Sequence, residues 1–431
     1  NTAEVRGGEE YTIKYENEDF SDVAYGYRAG SLEASGAISI LSSFVVDGRS
    51  YIVTKVDKYA FYQNKNITSV SIPETITDVE AYSFGFCDAL KTVSLPETII
   101  NLGSGAFWCC SSLMSIKIPQ GVPSISGGLL GHCKSLQSVE MHDGISSIGA
   151  HAFFYCTSLS AINIPSNVND IGSEALAYCS KLESITIPAH FTGKLDKTLT
   201  GCSELSCIVV EDGNEIYDSR QDCNAIIEKT TDRLLIGCKN TVIPYGIVSI
   251  GESAFYRIQD LKSIVIPESV TSIERDAFFE CRQLENVKLP GSLVKIVYNA
   301  FNFSGLKSVT IPANVKEIGA NAFMSDILTS IVSLIEDPFA TNAFGNMDGY
   351  TFNIYESATL FVPAGCKEKY ESAQGWNQFR NIVEMGTTSI LAEKTSGSAN
   401  SKVEFSLSGQ RMASAPRNGI SIRNGKKYVV K

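Results

Sequence analysis

One sentence, written about a dozen times with a period of about 23 residues, constrains this chain more than any other feature. Residues 90–112 read LKTVSLPETIINLGSGAFWCCSS and residues 261–283 read LKSIVIPESVTSIERDAFFECRQ, so the shared unit is L-x-x-V-x-I-P-x-x-V-x-x-I-G-x-x-A-F-x-x-C. Its phenylalanine phase falls at Phe61, Phe84, Phe107, Leu130, Phe153, Leu176 and Leu199, resumes at Phe255, Phe278 and Phe301, and runs through Phe323 to Phe344. One such unit cannot bury its own Leu, Val, Ile and Phe, whereas stacked copies can, so the pattern predicts a solenoid.

Each phase has a physical task. V-x-I alternates at period two and predicts a short strand, which the following Pro ends because it lacks an N–H for further pairing. V-x-x-I supplies a second, shorter extended stretch. Gly103, Gly149, Gly172, Gly251 and Gly319 are read as tight-turn residues. A-F-x-x-C predicts a single tight helical turn with Phe and Cys pointing inward. The expected fold is a mainly β repeat solenoid of about 12 units of 22–23 residues, a curved rod roughly 55–60 Å long at strand spacing.

The cysteines follow the same period. Cys87, Cys110, Cys133, Cys156, Cys179 and Cys202 recur at one constant interval, that of the repeat, and no C-x-x-C pair suggests zinc. Six thiols at one phase read as a buried ladder in which Cys acts as a small hydrophobe. Cys109, Cys207, Cys223, Cys238 and Cys366 lie off it, and a pairing among Cys207, Cys223 and Cys238 is left open. Net charge −11 argues against nucleic acid and anionic membrane surfaces. No run reaches the roughly 20 apolar residues of a membrane span. The start at Asn1, without an initiator Met, suggests a processed N-terminus.

The repeated unit resembles the BspA-like (Treponema-type) leucine-rich repeat family over residues from about 50 to 365. That resemblance implies a right-handed solenoid with a strand-lined concave face, on bacterial surface or secreted proteins that recognise proteins, host surfaces or neighbouring cells without catalysis. The shared positions are core positions, so no binding residue carries over.

Departures from the repeat define the remaining parts. Residues 1–50 are expected to form an N-terminal β cap and 51–365 the solenoid. From Glu211 to Pro244 the step is longer than the repeat, and two β-like runs, Ala225–Glu228 and Leu234–Ile236, predict a hairpin projecting from the coil over 211–244. Asp212, Glu215, Asp218 and Asp222 there lack the calcium-loop pattern and read as solvated turn acids. Residues 366–386, amphipathic around Tyr370, Trp376 and Phe379, read as a C-terminal cap. Residues 387–431 are a Thr/Ser/Gly-rich linker and a small β-rich tail. Its segments FSLSGQR and NGISIRNGKK resemble the sorting module of type IX-secreted proteins, which implies export across an outer membrane; a plain β appendage is the alternative.

Catalytic motifs are lacking. The four histidines, His132, His142, His151 and His190, fall at different phases, and His132 beside Cys133 is a weak thiol–imidazole candidate because adjacent side chains point apart. The concave strand positions, such as Ser69, Ser71, Thr92, Ser94, Lys117, Glu140, Val265 and Lys288, are polar and small, as a solvated sheet would also be. The positions just after the phenylalanine phase carry Tyr62, Trp108, Phe154, Tyr256 and Phe279, with Phe86, Tyr155, Tyr178 and Phe303 one place later. Stacked at the repeat spacing they would form an aromatic ribbon along one edge, suited either to partner recognition or to covering the turn layer. The expected function is a monomeric, secreted or cell-surface scaffold that binds a protein or glycan, without cofactor or metal. The alternative is an exported enzyme or glycan-processing accessory with its site on the hairpin or the ends.

Overall fold

The computed structural model describes residues 34–345 and 354–386, apart from position 196 and scattered positions within 44–51; beyond these it describes strand backbone only. The chain divides into a unit ending at Met385 and a second comprising Gly386–Lys431.

In the first unit most coils lay down two parallel strands. The V-x-I steps form one ladder, in which Ser115–Lys117 pairs with Ser138–Glu140, Ser184–Ile187 with Cys207–Val210, and Ser263–Val265 with Asn286–Lys288. The V-x-x-I steps form the other, through Asp78–Val79 and Asn101–Leu102, then Ser124–Ile125, Ser147–Ile148 and Asp170–Ile171. Each of these pairings advances by the sequence period, so each phase lands on itself in the next coil. Ile116, Ile185 and Ile264 point inward and are buried while their strand neighbours face solvent, as the pleat requires. Each Pro ends its strand and opens the next corner, its carbonyl accepting the N–H three residues on, at 3.1 Å from Val122 to Pro119 and 3.0 Å from Val270 to Pro267.

Two expectations about the turns need correction. Gly103, Gly149, Gly172 and Gly319 do not occupy left-handed backbone; a Cβ on any of them would sit 2.3–2.5 Å from a backbone nitrogen of the preceding coil. They are present because the coils touch there. The A-F-x-x-C segment is not a helical turn either. Its N–H groups alternate between two kinds of partner. Ala152, Phe154 and Cys156 bond three residues back within the coil, to Gly149, His151 and Phe153, whereas His151, Phe153 and Tyr155 donate to Ser173, Ala175 and Ala177 of the next coil. Left-handed residues such as His151 (φ 56°) and Tyr155 (φ 58°) turn the alternate N–H groups outward. A helix would have closed those donors on itself; here they hold the stack together.

Two columns fill the interior. Phenylalanine rings stack nearly parallel, with centroids 5.1 Å apart for Phe61–Phe84, 4.9 Å for Phe255–Phe278 and 5.0 Å for Phe278–Phe301. Beside them each ladder thiol donates to the carbonyl of the residue one repeat and one turn earlier, at 3.1 Å from Cys110 to Phe84 and 3.2 Å from Cys156 to Leu130. Cys281 joins this ladder through Phe255, at 3.0 Å. All twelve cysteines are free thiols, including Cys207, Cys223 and Cys238.

The insertion does not project. Ala225–Glu228 and Arg233–Gly237 pair antiparallel, and the second strand continues in parallel onto Ser249–Ile250 of the following coil. Its side chains alternate between two hydrophobic cores: Ile226, Ile236 and Cys238 belong to the core that begins near residue 34, and Ala225, Ile227 and Leu234 to the one that runs to Ile382. The hairpin is a partition buried on both faces. Buried Asn64 and Asn214 each tie off a coil of the first core in the same way. Asn64 donates to Ala34 and accepts from Asn66 and Ile67; Asn214 donates to Pro188 and Phe191 and accepts from Ile216 and Tyr217. At the far end the phenylalanine column runs into Trp376, whose ring lies 5.5 Å from Phe344 and whose indole N–H donates to Phe339 at 2.8 Å. Tyr370, on the helix Lys367–Ser372, donates to Ile335 at 2.7 Å.

The second unit contains the strands Glu404–Phe405, Arg411–Met412, Gly419–Arg423 and Lys426–Val430 in one antiparallel sheet. The side chains on which the sorting-module resemblance rests lie outside the described residues.

Two measurements check this account. Phe278→Ala opens the ring column and should cost about 3–5 kcal/mol in urea unfolding. Burial raises the ladder thiols from an ordinary value of 9.0, with Cys87, Cys202 and Cys281 pushed up to about 12. Because the folded values lie above the unfolded ones, the thiol contribution is intact below pH 9 and is lost as pH rises towards 12. Stability should therefore fall steeply across that window, and a Cys156→Ala, Cys179→Ala pair should flatten the fall. At about pH 8 a thiol reagent should reach at most the half-buried Cys109 and Cys207 until the chain is unfolded.

Candidate interaction edge

The alternating turn layer carries side chains as well as hydrogen bonds. The phenylalanine phase points in, and the positions two before, one after and two after it point to the rim. The structure places all nine predicted ring positions there: Tyr62, Phe86, Trp108, Phe154, Tyr155, Tyr178, Tyr256, Phe279 and Phe303 are each half-buried.

They meet in three runs. Tyr62 packs edge-on against Phe86, at 5.4 Å. Trp108 lies 5.0 Å from His132, which stacks on Tyr155 at 5.2 Å; Tyr155 in turn stacks on Tyr178 at 4.6 Å, with Phe154 edge-on to Tyr178 at 5.6 Å. Tyr256 stacks on Phe279 at 5.1 Å, and Phe279 meets Phe303 at 6.0 Å. The second and third runs join across the insertion. The Arg257 guanidinium lies 6.0 Å from the Tyr178 ring and 5.8 Å from that of Tyr256, while Glu280 holds it through two hydrogen bonds of 3.0 and 3.1 Å. Burial and the neighbouring Tyr178 push the Tyr256 phenol well above its ordinary value, so it stays a neutral donor.

Glycines make the seats for these rings. A Cβ on Gly131 would lie 2.2 Å from the Trp108 ring, one on Gly105 2.5 Å from Tyr82, and one on Gly201 2.6 Å from Tyr178. A ring on one coil is thus met on the next either by a parallel ring, as in Tyr155–Tyr178, or by a glycine over which it lies, as in Trp108–Gly131.

Sequence reasoning missed four members of the edge: Tyr59, Tyr82, His132 and His151. Tyr59 stacks on Tyr82 at 5.6 Å, and His151 packs edge-on to Phe154 at 5.1 Å. Tyr59, Tyr82 and His151 stand two residues before the phenylalanine phase, and that phase was the available signal. His132 is a ring of the edge and not half of a catalytic pair. Burial, then Lys134 and His151, lower its basicity, while Cys133 turns into the core and donates to Phe107 at 3.2 Å. Among the candidate calcium acids, Asp218 is taken up by Arg220 at 2.9 Å, and Arg220 also reaches Asp232 at 2.8 Å. On the sheet of V-x-I strands Lys117, Glu140, Val265 and Lys288 are exposed, and Lys117 is paired with Glu97 at 2.7 Å. No helix among the described residues is long and apolar enough to cross a membrane.

Coils of this kind, closed by paired strands on two sides and by hydrogen-bonded turns on a third, define a bacterial leucine-rich-repeat solenoid. The model described as BspA type leucine rich repeat region (6 copies) matches residues 54–143, 124–229 and 235–351, more than half of the sequence. The chain belongs to that family. Among solved structures it is similar to the pneumococcal vaccine antigen PcpA, at 18% identity and a TM-score of 0.59, over 89% of this chain and 99% of that one. It is also similar to a leucine rich cell surface protein from Faecalibacterium prausnitzii, at 22% identity and a TM-score of 0.55, over 90% of this chain and 96% of that one. At these identities the likeness concerns the fold. No curated protein matches the chain.

The glycine seats give a direct test. Trp108 is half-buried, and the only other tryptophan, Trp376, is fully buried. Gly131→Ala should unseat the Trp108 ring and increase acrylamide quenching of fluorescence, with little change in the far-ultraviolet circular dichroism.

Proposed function

We propose that this protein is a non-catalytic, monomeric interaction scaffold at the bacterial surface or in secreted form, which engages a protein or glycan partner through its aromatic edge. We read the solenoid as right-handed, as in the family it belongs to. The observation that carries the proposal is the run from Trp108 to Tyr178: rings half-exposed, braced edge-on at Trp108 and face to face from His132 to Tyr178, with Trp108 and Tyr178 seated in glycine notches. Rigid aromatic side chains contribute large contact area at small entropic cost, and they concentrate binding energy where they are pre-ordered. The concave sheet offers short, polar and partly ion-paired side chains, and fits a solvated face better. An exported enzyme remains a second class of function, but no feature of the described residues favours it.

The test is a binding screen of the purified chain against matrix proteins and glycan arrays, repeated with Trp108→Ala, Tyr155→Ala and Tyr256→Ala. Each variant should weaken the partner found by roughly tenfold or more, as truncation of an aromatic anchor does, while Lys288→Ala on the concave sheet leaves binding unchanged. The opposite ranking in folded proteins would falsify the edge assignment.

A further inference from the structure

The stack of turns has one missing rung. From Leu199 to Phe255 the phenylalanine phase takes a stride longer than two ordinary repeats, and the material between them contributes the hairpin but no A-F-x-x-C turn. In an intact pair of coils His151, Phe153 and Tyr155 donate to Ser173, Ala175 and Ala177. The corresponding donors here are the N–H groups of Lys197, Leu199 and Gly201, and among the described residues none of them has an acceptor. The facing carbonyls belong to Glu252, Ala254 and Tyr256; among the described residues only that of Ala254 is used, by Gly237 at 2.8 Å.

A cavity of about 380 Å³ occupies the gap, lined by Leu195, Leu199 and Thr200 on one wall, by Tyr256 and Ile258 on the other, and by Ile236 of the hairpin. It lies at the small end of the range for ligand sites. Arg233 also lines it, and its buried Nε–H has no partner among the described residues. The walls are tied by an exposed pair, Lys197 to Glu252 at 3.5 Å, which contributes little and can open, and at the rim the Arg257 guanidinium lies between Tyr178 and Tyr256.

We infer that this open rung is a binding slot for a peptide segment of a partner protein, which completes the turn layer by backbone hydrogen bonding. One wall presents three spaced donors and the other two spaced acceptors, with apolar side chains between. A peptide supplies both functions at the required alternation, together with an apolar side chain for the centre, as in strand addition to a sheet edge. A ligand carrying only acceptors would answer the donors of Lys197, Leu199, Gly201 and Arg233 but leave Glu252 and Tyr256 unmet. The slot is separate from the aromatic edge as a binding mode, although Tyr256 borders both.

The probe is a synthetic peptide with the chain's own turn sequence, residues 272–283 (SIERDAFFECRQ), kept reduced and labelled for fluorescence polarisation against the full chain. Saturable binding is expected, with a scrambled peptide inactive. Native-state amide exchange at Lys197, Leu199 and Gly201 should be fast in the free protein and slow by about tenfold or more when the peptide is bound. Thr200→Trp fills the slot and should weaken the peptide about tenfold at an unchanged melting temperature. Trp108→Ala, on the aromatic edge, should leave it unaffected, so the two sites fail independently. Three results overturn the inference: no saturable binding up to about 1 mM peptide to folded protein, protection of these amides without peptide, or protection by an acidic oligosaccharide in place of the peptide. The exchange measurement on the unmodified chain decides the matter even if Thr200→Trp fails to fold.

Discussion

The hydrogen bond from every second turn residue to the coil that follows is the constraint on which this structure depends. Strands in neighbouring coils would pair in any parallel sheet. What fixes the length of a coil is that the turn side is ladder-bonded too, through His151, Phe153, Tyr155 and their equivalents. That requirement dictates the left-handed residues, and the left-handed residues turn alternate side chains in and out. A buried phenylalanine column and an outer ring edge are two consequences of a single backbone arrangement. The glycines at the coil corners follow from the same closeness, since a methyl at Gly172 would meet the backbone of Ala150.

Much of this was legible in the sequence because a strict period converts position into direction. Once Phe and Cys recur at one phase, both must face the axis, and the structure adds only what the thiols do there. Each finds the carbonyl of the preceding coil and stays protonated, so a column of nucleophiles is chemically silent. The outer ring positions could be named from the same phase count. Their partners could not, because the notch for Trp108 is Gly131 and the ring packed edge-on beyond it is His132, neither of which belongs to the shared motif.

The turn conformation and the insertion were less legible. A-F-x-x-C has the length of a helical turn, and nothing local announces that its donors are claimed by another coil. The runs AIIE and RLLIG look like exposed hairpin strands if a coil is assumed to continue beneath them. Their near-continuous apolar character carried the other message: strands without a polar face are strands covered on both sides. Asn64 and Asn214 were equally quiet, since a buried asparagine that ties off a coil reads in sequence as one more polar residue in a loop.

The double-faced hairpin has a mechanical consequence. In a simple solenoid each coil leans only on its neighbours, so fraying that starts at one end travels inward rung by rung. Here the phenylalanine phase stops at Leu199 and begins again at Phe255, and the wall between them is anchored to both sides by interleaved side chains. A pull applied at either terminus therefore meets a bulkhead, and the coils beyond it keep their shape while those in front unwind.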